Sequence, residues 1–183
     1  MRLLLSLALC AVVVSSSALV AAAPHSQTRL RPQDDRLSSL LRDGTSRSAT
    51  LKTLVDRIET SNVIVYVTLN PLMKSNLSGT LTWMARSGEF RYLRASIGPH
   101  LTPTQMLATI AHELQHAVEV IDDETVTDEN GLVALYRRIG RQSGTSSPSR
   151  WETDAAQRTG FQVKKELLGV PAMTIARAGE DVR

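Results

Sequence analysis

The chain has 183 residues, with 21 lysines and arginines against 18 aspartates and glutamates, a net charge of +3, and 4% aromatic residues. The basic residues are scattered rather than clustered with aromatics, which argues against a nucleic-acid surface, and so few rings provide no stacking platform for single strands. The only cysteine, Cys10, falls within the first 23 residues, so the rest of the chain offers neither a disulfide nor a thiolate, and any metal must be held by nitrogen and oxygen.

Residues 1–23 read as a secretory signal peptide: Arg2 supplies the charged start, Leu3 to Val14 an apolar run, and small residues lead to Ala21-Ala22-Ala23. The run is too short and too broken by serines for a membrane span. Its removal leaves about 160 residues, enough for one domain with its own core. The expected location is secreted or periplasmic, in the cell envelope, with no stable membrane span, and export without disulfides suits a bacterial envelope. Residues 24–49 are polar, with Pro24, Pro32 and Gly44, and read as a loosely ordered N-terminal segment with at most a short helix over 34–41. A domain over 50–171 and a tail over 172–183 complete the expected organisation.

Within 50–171 both helix and strand periods appear. Leu51, Leu54, Val55 and Ile58 share one face of a helix over 50–60. Residues 62–69 are rich in β-branched side chains and stop at Asn70-Pro71, which predicts a central strand. Residues 79–85 and 90–97 alternate about a glycine-containing turn, a β-hairpin pattern. Such a strand, if it has an open edge, is a place for an extended peptide to pair. Thr102, Pro103 and Gln105 form a capping-box signature. Met106, Leu107, Ile110, Leu114 and Ala117 then continue as an apolar helical stripe. Leu132 to Ile139 predicts another helix, residues 141–149 a flexible loop, and Trp151 to Leu168 a last helix bearing Ala155, Ala156, Phe161, Val163 and Leu167. These elements predict an α+β fold.

The central feature is His112-Glu113-Leu114-Gln115-His116, a His-Glu-x-x-His motif near the middle of the capped helix. Histidines at i and i+4 stand on one face a turn apart, so two imidazoles can grip one metal ion while Glu113, beside them, polarises a water. A third ligand must come from elsewhere, and Glu119, Asp122, Asp123, Glu152 and Asp154 are the candidates. Glu119 lies seven residues, roughly 10 Å, beyond His112 along the axis, a strained reach that suits hydrogen bonding behind a ligand or plain solvation. Asp122 and Asp123 belong to the helix end. Glu152 opens a separate helix after a flexible connection that lets it fold back, and is the better choice.

On the His-Glu-x-x-His motif together with Glu152-Thr153-Asp154-Ala155, the chain resembles the zincin metallopeptidases of the gluzincin branch, in which a Glu-x-x-Ala-Asp helix follows the first motif. The resemblance implies a minimal zincin-like domain: a small antiparallel or mixed sheet packed on the motif helix, with a second helix bearing a ligand. It implies zinc (Zn2+) held by His112, His116 and Glu152, Glu113 as general base, and a peptide or protein as substrate. Ala156 stands where the family has its Asp, so Asp154 either substitutes for that Asp or is itself the ligand. Tyr136 is open to two readings, a core residue or an oxyanion stabiliser. The expected function is that of an exported zinc metallopeptidase. Its rival is a non-catalytic, zinc-stabilised binding or structural protein on the same scaffold, to which a carboxylate at Glu113 would bring no evident gain.

Overall fold

The computed structural model of the chain describes residues 28–142 and 151–169. The fold is α+β. Four strands form one mixed sheet: β1 (Leu30–Pro32), β2 (Val63–Leu69), β3 (Gly79–Ser87) and β4 (Phe90–Ile97), in the spatial order β1-β2-β4-β3. β2 runs parallel to both β1 and β4, and β3 runs antiparallel to β4. Val63, Val65 and Val67 turn one face of β2 into the core, and Ile64 is buried on the other. β3 is the edge, largely exposed, and joins β4 through a tight turn in which Gly88 takes φ +57°, a conformation that favours glycine.

Among the described residues five helices accompany the sheet: α1 (Asp35–Arg47), α2 (Ala49–Glu59), α3 (Pro103–Asp122), α4 (Glu129–Ile139) and α5 (Asp154–Leu167), the last packed chiefly on α3. α3 is the centre of the molecule. Its capping box forms as the spacing predicts, with the Thr102 side chain accepting from Gln105 N and the Gln105 side chain accepting from Thr102 N. Leu107, Ile110, Leu114, Ala117 and Val120 bury its apolar face against the sheet and its helical neighbours. Each large side chain removed from water there contributes about 1.5–3 kcal/mol. The far end of α3 is clamped by the buried Arg91 of β4. Its Nη1 donates to the carbonyls of Val120 (2.7 Å) and Asp123 (2.9 Å), and its Nη2 to Asn62 Oδ1 (2.8 Å).

Two expectations are corrected. Residues 28–49 are not loosely ordered: β1 extends the sheet and α1 is a full helix capped by Asp34. The Glu59 carboxylate accepts from the backbone N–H of Arg29 (2.8 Å) and Leu30 (3.1 Å), and Leu37 and Leu41 enter the core. Gly44, read as a breaker, is a contact point; a Cβ there would lie 2.7 Å from a Leu107 methyl. The last helix does not begin at Trp151. Trp151–Glu152 form a short strand, β6, paired with β5 (Arg141–Gln142), and the hydroxyl of Thr153 caps α5 by accepting from Ala156 N at 3.1 Å. Within α5, Phe161 is 65% exposed rather than packed. The signal-peptide segment 1–23, most of the loop 141–149 and the tail 172–183 lie outside the described residues. Among the described residues no helix is long and apolar enough to cross a membrane.

Glu166 ties α5 to the α1–α2 corner. Its carboxylate accepts from the Ser48 and Thr50 hydroxyls, from Thr50 N and from Gln162. Burial pushes its pKa up, but these donors outweigh that and the net shift is downward. A depressed folded-state pKa means stability present at neutral pH and lost as pH falls through that value. Glu166→Ala should therefore lower the unfolding free energy by about 1–2 kcal/mol at neutral pH. Urea denaturation at two pH values should show the gap between variant and wild type closing in acid.

Candidate metal centre

One helical turn of α3 separates His112 from His116, and their rings meet edge to face with centroids 4.9 Å apart. The third group arrives from β6: Glu152 Oε2 lies 3.1 Å from His112 Nε2. His112, His116 and Glu152 each bring one donor atom to within 4.8 Å of the other two. Two imidazoles and a carboxylate suit zinc, whose catalytic sites use three protein ligands and leave a position open. The other candidates are engaged elsewhere. Asp154 pairs with Arg141 (2.6 Å) and Asp122 with Arg57 (2.7 Å), both on the exposed surface, and Asp123 pairs with Arg138 and Thr125.

Glu119 settles behind the centre rather than in it. Its Oε2 is 2.8 Å from His116 Nδ1, and its Oε1 accepts from the Thr153 hydroxyl at 2.6 Å. A carboxylate at that distance holds the proton of His116 on Nδ1, which leaves Nε2 with its lone pair for a metal. Thr153 directly follows Glu152, so the same bond fixes the segment that carries the third group. The orienting contact thus comes from α3 itself and not from Asp154. Thr153 escaped sequence reasoning; its signal was that of an N-cap, a threonine followed by acidic and small residues.

Two glycines set the spacing. Gly160 of α5 packs against α3, where a Cβ would lie 3.0 Å from the Ala108 carbonyl and 3.3 Å from His112 Cβ. A lone glycine in a helical pattern is the signal for such a close approach. Gly79, at the start of β3, faces Glu113; a Cβ there would lie 2.6 Å from Oε1. Glu113 itself is buried, 4% exposed. Tyr136 is a core residue: its ring packs edge to face on His116 at 5.1 Å, and its hydroxyl donates to the His116 carbonyl (3.2 Å). Tyr136 also lines the smaller of the two hollows beside the centre.

Burial pushes the pKa of His112 down, but the bond to Glu152 and the charges of Glu113, Glu152 and Glu119 outweigh it, and the net shift is upward from 6.5. Three carboxylates gathered around two imidazoles make a centre that a cation stabilises. Two hollows, of about 540 Å³ and 300 Å³, open on either side of it, and Gly79, His112, Glu113 and Glu152 line both. Together they form one groove along β3.

Glu152→Ala should remove zinc from the purified protein while Asp154→Ala leaves it near one per chain, as elemental analysis would show; the reverse result would move the assignment to Asp154. Glu119→Ala should weaken zinc binding roughly 10- to 100-fold. A metal must displace the His112 proton, so zinc affinity in a chelator competition should fall with decreasing pH, beginning above 6.5, the ordinary histidine value.

No protein family, curated protein or solved structure matches the chain; the arrangement of these side chains is what speaks for its chemistry.

Proposed function

We propose that the chain is an exported zinc-dependent peptidase of the zincin type. The observation that carries this reading is the placement of Glu113. It is a buried carboxylate beside a His-His-Glu donor set, in the wall of a groove that follows a sheet edge. A purely structural zinc site has no use for an acid at that point. The orientation of His116 by Glu119 supports it further, because catalytic metal sites depend on such bonds.

The chain's own residues divide the work as follows. The outer edge of β3, away from β4, offers backbone N–H and C=O groups to an extended peptide. His112, His116 and Glu152 would hold the zinc ion, which when bound would supply Lewis acidity toward the scissile carbonyl and a more acidic water. Glu113 takes a proton from water as the water oxygen forms its bond to the carbonyl carbon. It then gives that proton to the amide nitrogen as the carbon–nitrogen bond breaks, so that one water is divided between the two products. The bare Cα of Gly79 leaves Glu113 the room to do this. The leader pattern in residues 1–23 supports the exported part of this reading.

Glu113→Gln should keep the fold and the zinc and lose peptide hydrolysis by at least about 100-fold, within the range of a general base. Metal content and cleavage of a peptide library, measured side by side, check it. Unchanged turnover in the variant would sink the mechanism. A wild type that holds zinc and cleaves nothing would make the metal structural.

A further inference from the structure

The groove is asymmetric in charge. Its larger hollow is walled by one stripe of α5, Gln157, Gly160, Phe161 and Lys164, spaced three and four residues apart and so on one face. Asn76 and Gln105 complete that end. Apart from Glu113 and Glu152 at the metal centre, no acidic residue lines this hollow. Lys164 is exposed and enters no ion pair among the described residues. The smaller hollow is instead apolar, with Leu81, Trp83, Leu132 and Trp151, and Glu129 as its one acid beyond the metal centre.

Direction follows from the edge strand. Residues 76–83 pass the metal centre from the larger hollow to the smaller. A peptide pairing antiparallel with β3, the more stable pairing, lies with its N-terminal half against Trp83 and its C-terminal half toward Lys164. Lys164 is four residues beyond Gly160, which packs on His112.

We infer that the groove selects peptides with a carboxylate C-terminal to the cleaved bond, held by Lys164, and an apolar side chain on the N-terminal side. The inference rests on the peptidase reading and names its substrate class. An aspartate or glutamate side chain and the carboxylate of a chain terminus present the same group to Lys164.

The test uses quenched fluorescent peptides with one common core. Three amidated versions carry Glu, Gln or Lys at each of the first three positions C-terminal to the cleaved bond in turn, and a fourth ends at the same position in a free carboxylate. On the zinc-loaded wild type, kcat/KM for the Glu peptide should exceed that for the Lys peptide roughly three- to tenfold, as one partly exposed ion pair allows. Lys164→Glu should reverse the order. The free-acid peptide shows whether a chain terminus serves as well as a side chain. The same order in both proteins overturns the inference and leaves the peptidase reading standing. If the wild type cleaves none of them, fluorescence anisotropy with zinc-loaded Glu113→Gln, with and without Lys164→Glu, decides. Affinities that order and reverse in the same way keep the groove's selectivity and discard hydrolysis, and flat affinities discard both.

Discussion

Glu119 bonds in two directions at once, to the ring of His116 and to the hydroxyl of Thr153. Its side chain is 10% exposed, and a carboxylate so placed is tolerated only because both oxygens find donors. The two donors belong to different elements that meet nowhere else in sequence. One is a histidine of the candidate metal centre, and the other directly follows Glu152, the carboxylate of the same cluster. A single side chain therefore holds the orientation of one imidazole and the position of Glu152 in register. The threonine it uses also caps α5, whose Gly160 fixes how near that helix comes to His112. Helix capping, helix packing and the geometry of the centre are thus one mechanical unit.

The parts of this unit that lie close together in sequence were legible there. The capping box, the apolar stripe of α3, the pair of histidines and the central strand all follow from residues three or four apart or from strict alternation. The pairing of Glu152 with the histidines was also anticipated, although its setting was not. A threonine cap and a two-residue strand need a partner, here Arg141 and Gln142, that no local pattern announces. The N-terminal segment misled for a similar reason. Leu37, Leu41 and Gly44 form a good stripe only once Leu107 is there to receive it, and a polar composition hides an ordered helix when few apolar residues suffice to bury it. Phe161 shows the converse: a side chain that fits an apolar period and yet faces the groove.

The walls of the groove come from short pieces of one small domain: the first residues of β3 and the loop before it, one face of α4, and one face of α5. No single element encloses the centre. Its low exposure arises where these pieces converge on Glu113 and Glu152, while the ends of the groove stay open to solvent.

Arg91 has a meaning beyond the carbonyls it satisfies. A helix such as α3 presents its side chains by angle, and a shift of one residue turns each of them by about 100° about the axis. The capping box sets that angle at one end of α3, and the buried guanidinium sets it at the other. Between the two, His112, Glu113 and His116 have no freedom to trade faces. The arginine, one strand away from any chemistry, thus acts as an index pin: it determines which way the helix faces.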